Sequence, residues 1–149
     1  MSGSEHLSYG RSKFRTRLPL DRRYTQGHAW LLPEADGVVR VGFTRFATRM
    51  LGEIVEFAFE AKPGRAIEIG EVIGWFEGFK AVSDVYAPLA GTFLGPNPEL
   101  EAVTERIHHS PYDQGWLYRV AGGIPDDALT AEDYARFLDG TIDRMMGDA

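Results

Sequence analysis

Glycine and proline interrupt this chain so often between residues 27 and 123 that no long regular element fits there. The runs left between the breaks include HAWLL, VVRVGF, EIVEFAFE, EVIGWFEG, AVSDVYAP and WLYRV. They are short and rich in β-branched and aromatic residues, which is the composition of strands. Several such strands at close spacing point to a small sandwich or barrel. HAWLLPEADGVVRVGF reads as a hairpin with Asp36-Gly37 as its turn, since that pair accepts the positive φ of a tight turn. In TRFATRMLG the period changes: Thr44 can cap a short helix, Phe46, Ala47, Met50 and Leu51 share one face, and Gly52 ends it. KPG turns the chain, and LAGTFLGPNPEL supplies another short strand and a turn.

The two flanks differ from this middle. Residues 1–10 are polar and expected to be loose. Residues 11–23 carry six basic residues against one acid, and within them Phe14 and Leu18 alternate with Lys13, Arg15 and Arg17. That pattern suits a charged edge strand, or an arm that binds phosphate or a partner. After IPDD, residues 130–146 are expected to form a helix. Thr130 and Asp133 make a capping-box-like start, and Tyr134, Phe137, Leu138, Ile142, Met145 and Met146 fall at helical spacing. Such a helix closes one side of the barrel or docks a partner. The chain thus divides into an N-terminal extension, 1–17, partly flexible and basic, and one domain over 18–149.

Composition removes several chemistries. There is no cysteine, so disulfides, zinc–thiolate sites, iron–sulfur ligation and a cysteine nucleophile are excluded. Any sulfur chemistry must come from a cofactor. A net charge of −6 argues against general nucleic-acid binding. At 149 residues the chain can bury a core without staples. MSGSEHLSYG has no apolar signal-type run and no segment is long enough to span a bilayer, so a cytoplasmic location without membrane contact is expected. His108-His109 is an unpromising metal pair, since neighbours in a strand face opposite ways, and a solvated loop is the expectation. His28 beside Trp30 suits a packed, hydrogen-bonded histidine. Trp75, Trp116 and Phe76 are expected in the core. No nucleophile elbow, P-loop or dinucleotide fingerprint is present, so the chain does not read as an enzyme by itself.

One residue stands apart. Lys80, one of three lysines with Lys13 and Lys62, falls in EGFKA between two strand-like runs. Val72, Gly74 and Phe76 are expected on one face of the incoming strand, with Ile73 and Trp75 on the other. The tip then holds Gly78, Phe79 and Lys80 away from the core, with Gly78 supplying positive φ. An exposed amine with a pKa of roughly 10.4 is a poor base, though a good target for acylation by an enzyme. A plain solvated turn lysine is the other reading.

EGFKAVSDVYAPLAG resembles the lipoylation segment of the glycine cleavage system H-protein family, whose pattern is close to ESVKAVSDVYSPVSG. YTQGHAWL, VGFTRFATRMLGEIV, PNPEL and SPYDQGWLYRV resemble further family motifs in the same order, over roughly residues 18 to 145. The resemblance implies a mostly β fold with minor α, a barrel–sandwich hybrid of two small antiparallel sheets with one short internal helix and a C-terminal helix. It implies lipoic acid in amide linkage on Lys80, with Glu77, Gly78, Phe79 and Ala81 flanking the attachment and His28 near the arm. It implies a non-catalytic carrier. That carrier shuttles an aminomethyl group between a pyridoxal-phosphate glycine decarboxylase, an aminomethyltransferase and a dihydrolipoamide dehydrogenase. A lipoate ligase or lipoyl transferase loads it, and a monomer is expected. A biotinyl domain fits less well, because Phe79 and Ala81 rather than methionines flank the lysine. Against the family pattern, Gly78 and Phe79 replace serine and valine, Ala29 and Arg45 replace acids, and His108 replaces asparagine. Two other roles fit the same residues: a lipoate carrier for another pathway such as bacterial sulfur oxidation, and an unmodified interaction module with this fold.

Overall fold

The computed structural model describes residues 5–147. The chain opens with a hairpin, β1 (His6–Arg11) and β2 (Phe14–Pro19), paired antiparallel from His6 opposite Pro19 to Arg11 opposite Phe14. Residues 6–10, expected to be loose, are therefore a strand. The reason lies in its inner face: Tyr9, Phe14 and Leu18 are buried while Arg15 and Arg17 face solvent, so the alternation gives the hairpin one apolar side to bury.

Next come β3 (Arg23–Tyr24), β4 (Ala29–Pro33), β5 (Val38–Phe43), the helix α1 (Arg45–Leu51) and β6 (Ile54–Phe59). They are followed by β7 (Ala66–Ile67), β8 (Val72–Gly78), β9 (Val82–Tyr86), β10 (Gly91–Pro96), α2 (Glu105–His109), β11 (Tyr118–Ala121) and α3 (Ala131–Gly147). Two antiparallel sheets make the body. One has six strands in the order β3-β4-β5-β11-β10-β7, and the other three in the order β6-β8-β9. The architecture is the mostly β, two-sheet sandwich with a C-terminal helix that the sequence implied, and the β1–β2 hairpin adds a third, separate ribbon.

Leu31, Val41, Ile73, Phe76, Phe93 and Val120 fill the space between the two sheets, each 3% exposed or less. Aromatic rings run through this core: Phe76 stacks on Phe57 and meets Phe43 edge-on, each at 5.0 Å, and Phe59 meets Tyr118 at 5.5 Å. Such pairs add about 1 kcal/mol each beyond the area they bury. A second core lies outside the six-stranded sheet, where α3 lays Tyr134, Leu138 and Ile142 against Tyr24, Trp30 and Phe46, with the hairpin's Phe14 and Leu18 completing the cluster.

Local chemistry sets the element ends. Asp36 and Gly37 both take positive φ at the β4–β5 turn. The Thr44 hydroxyl accepts from the Ala47 amide at the start of α1, and Gly52 (φ 76°) ends it. The Thr130 hydroxyl accepts from the Asp133 amide at 3.1 Å.

Three side-chain expectations change. Met50 is 42% exposed and Thr48 takes the buried place on α1, its hydroxyl donating to the Arg45 carbonyl within the helix. Met145 and Met146 lie exposed beyond the end of the cluster that α3 covers. Ile73 and Phe76 are both buried although they lie three positions apart, which in a regular strand puts them on opposite faces. The pairing of β8 with β9 shifts register between Val72 and Gly74, and a bulge there turns the strand. Of the tryptophans, Trp30 is fully buried, with Nε1 donating to the Pro111 carbonyl at 2.9 Å. Trp75 and Trp116, expected in the core, are half-buried. Trp116 lies under the guanidinium groups of Arg119 and Arg40, 4.2 and 5.0 Å from its ring centre.

Candidate functional site: the Lys80 hairpin tip and its cleft

The β8–β9 hairpin ends in a tight turn closed by the Gly78 amide donating to the Ala81 carbonyl at 2.8 Å. Phe79 and Lys80 form the tip, and Phe79 is 76% exposed. The tip is not free-standing. The Lys80 amide donates to the Leu51 carbonyl at 2.9 Å, and the Phe79 amide to the Glu53 carbonyl at 3.0 Å. The C-terminal end of α1, whose last carbonyls lack helical partners, thus accepts the hairpin tip. Lys80 Nζ lies 3.5 Å from the Arg49 carbonyl, at the margin of a hydrogen bond.

Two glycines let these backbones meet. A Cβ on Gly78 would stand 2.1 Å from the Leu51 carbonyl oxygen, and one on Gly52 would stand 3.1 Å from Lys80 Cγ. Gly52 also takes positive φ, whereas Gly78 does not. The expected reason for glycine at 78 is therefore corrected: its place is set by close approach to α1, not by a left-handed turn.

Glu77 sits on the rung of β8 next to its end at Gly78, half-buried, opposite Glu56 on one side and Val82 on the other. Two carboxylates directly opposite each other repel, so this rung keeps a concentration of negative charge just behind Lys80. Ala81 leads away from the tip into the wall of a cleft of about 860 Å³.

The cleft runs between β9 and the segments carrying Gly27, His28, Asp127 and Ala128, with Met50 and Leu51 at its border. His28 holds positive φ (71°) there. Its Nδ1 shares a 2.8 Å hydrogen bond with the Tyr134 hydroxyl, which is also 2.8 Å from the Thr44 hydroxyl. Its ring packs 4.6 Å from that of Phe46. Burial lowers its pKa to about 4, so the imidazole is neutral at pH 7.

The structure thus brings Lys80, Gly78, Phe79 and Ala81 together at one tip and places His28 on the wall of the cleft that begins beside it. Sequence reasoning missed the seat at Leu51–Glu53 and the His28–Tyr134–Thr44 network. Gly52 was legible as a helix end, and nothing local said what that end would support. His108 and His109 lie on α2 rather than in a strand or loop. Among the described residues no group of three or more histidine and acidic side chains is placed to hold a metal ion.

The fold is a small two-sheet β sandwich that holds a lysine by its backbone at the tip of a short hairpin. Among proteins of that fold the chain belongs to the glycine cleavage H-protein family, whose model matches residues 22–139. It is 38% identical over 126 residues to the glycine cleavage system H protein of Opitutus terrae, a match covering 83% of this chain and 98% of that one. It is 39% identical over 125 residues to that of Thermus thermophilus, covering 82% and 96%. The crystal structure of a glycine cleavage system H protein from Mycobacterium marinum superposes with a TM-score of 0.73 at 37% identity, covering 83% of this chain and 99% of that one. The family is one of carrier subunits rather than catalysts. The β1–β2 hairpin precedes the matched segment.

Proposed function

We propose that Lys80 carries lipoic acid in amide linkage and that the chain serves a glycine cleavage system as its carrier. In that role it moves an aminomethyl group between a pyridoxal-phosphate glycine decarboxylase and an aminomethyltransferase, with a dihydrolipoamide dehydrogenase restoring the arm. The observation that carries this reading is the seating of Lys80: its backbone is held by α1 while its amine stands clear of every described carboxylate, outside ion-pair distance. The residues present fit the group, because an unpaired amine at a rigid tip is open to a ligase or transferase and the adjoining cleft has room for a long arm. When bound, the dithiolane supplies the sulfur chemistry that this cysteine-free chain lacks. Leu51 and Glu53 orient the tip, and neutral His28 with Ala81 and Val85 lines the shelter beside it. No described helix is long and apolar enough to cross a membrane, and a monomer in the cytoplasm suits the role.

Protein purified from its own host is expected to show a lipoyl mass increment that maps to the peptide containing Lys80. Lys80→Arg is expected to abolish it. An unmodified mass from lipoate-replete cells overturns the carrier reading. Glu77 and Gly78 are proposed to guide the attaching enzyme. Glu77→Gln is expected to slow lipoylation several-fold while leaving the fold intact, since it removes one of two facing carboxylates. Equal rates for Glu77→Gln and wild type, measured with purified ligase, count against that role.

A further inference from the structure

Elsewhere on the surface the arginines mostly meet carboxylates: Arg11 meets Asp139 and Asp143, Arg40 and Arg119 share Glu34, and Arg106 meets Glu99. Arg15, Arg17, Arg23 and Arg144 have no described carboxylate within ion-pair distance, and two more such arginines stand together beside Lys80. Arg45 and Arg49 lie one helical turn apart on α1, and neither has a described carboxylate within ion-pair distance. Arg45 donates instead to the His108 carbonyl on α2, and Arg49 lies 5.9 Å over the ring of Phe14. His108 and His109 stand edge to face on α2 next to the Arg45 guanidinium.

Large apolar side chains stand out of the surface at the same place. Phe79 is 76% exposed, Val82 69% and Met50 42%. On the strand side of the tip the charge reverses, with Glu56 opposite Glu77. An apolar centre with a charged rim is the anatomy of a protein-binding surface, and a rim of one sign on one flank fixes the orientation of what binds.

We propose that the α1–α2 flank, with Phe79 and Met50 at its centre and Arg49 and Arg45 on its rim, is the surface on which the glycine decarboxylase that acts on the Lys80 arm docks. The partner presents carboxylates to α1 and α2 and an apolar recess to Phe79. This rests on the carrier reading above. Like-charge crowding is unfavourable in the free protein and is relieved when an acidic surface covers it.

The test uses full-length lipoylated protein, its loading verified by mass, and the host's purified glycine decarboxylase in glycine-dependent bicarbonate exchange. Arg49→Glu is expected to raise KM about tenfold at low ionic strength with kcat unchanged. The difference should shrink as salt is added, because the contact is exposed and screened. Arg49→Gln should fall between the two, and it guards against loss through misfolding. Lys62→Glu makes the same charge change beyond the far end of β6, away from the rung where Ile54 meets Gly78, and should leave KM within about twofold. A KM for Arg49→Glu no different from that for Lys62→Glu overturns the docking surface while leaving the carrier intact. Lipoylated wild type that the decarboxylase ignores, when the same enzyme accepts another H protein, overturns the carrier reading and this dock with it.

Discussion

Gly78→Ala is expected to cost about 3 kcal/mol of stability and to slow lipoylation of Lys80 more than any other single change that leaves the lysine in place. The new methyl would start 2.1 Å from the Leu51 carbonyl oxygen, with the Leu51 carbonyl carbon at 2.7 Å. Both are backbone atoms, so no side chain can rotate aside. The hairpin tip and the end of α1 must separate, and the Lys80-to-Leu51 and Phe79-to-Glu53 hydrogen bonds are stretched together. For a chain of this size that corresponds to a fall in Tm of roughly 5–10 °C. The tip's share is read by amide hydrogen exchange, where Phe79 and Lys80 should lose protection. A Gly78→Ala variant within about 0.5 kcal/mol of wild type, with both amides still protected, would show that the seat on α1 does not hold the tip. Gly52→Ala is a weaker relative: its methyl meets the flexible Lys80 side chain, though positive φ adds strain.

That contrast shows what the sequence could and could not tell. The strands, the Asp36-Gly37 turn, the caps at Thr44 and Thr130 and the exposed Lys80 were legible because each depends on neighbours in the chain. The motif segments then supplied the arrangement of the two sheets. What stayed hidden depends on contacts between distant segments. Gly78 looked like a turn glycine until Leu51, far away in sequence, was seen against it. Tyr9 fell in a segment expected to be loose and Phe14 on a charged edge strand or arm, and they become core because α3 returns to cover them. There Tyr9 donates to Asp139 at 2.8 Å, and Arg11 pairs with Asp139 and Asp143. The basic count of residues 11–23 was correct, but its charges split. Arg11 is spent on α3, Arg22 pairs with Asp21 over Trp30, and Arg15 and Arg17 face solvent. Ala29 and Arg45, both departures from the family pattern, also part company: Ala29 borders the cleft while Arg45 turns toward α2.

The protein is expected to lose about 3 kcal/mol of stability through one histidine as the pH falls from 6.5 to 4. His28 is buried, its Nδ1 bonded to Tyr134 and its ring packed between those of Phe46 and Phe137. No carboxylate contributes to its shift, and burial alone lowers its pKa from 6.5 to about 4. The unfolded chain therefore binds a proton on His28 below pH 6.5 that the folded chain refuses until about pH 4. Wherever the unfolded state holds more protons, stability rises with pH, so this contribution is complete above pH 6.5 and is lost progressively on acidification through that window. Other groups also take up protons on acidification, so the measurement is a difference between two proteins. His28→Asn is the partner variant, because asparagine tolerates the φ of 71° that the backbone adopts here and does not titrate. Urea unfolding at pH 7 and pH 4 should show the wild type losing about 3 kcal/mol more than His28→Asn. Tyr134→Phe should be less stable at pH 7, since it strands His28 Nδ1 and the Thr44 hydroxyl in the interior. It should keep the steep acid limb, because burial rather than the hydrogen bond lowers the pKa. Equal losses in wild type and His28→Asn would mean that the imidazole is charged, or reached by water, in the folded protein. The cleft wall beside Lys80 would then be a polar surface rather than a neutral one.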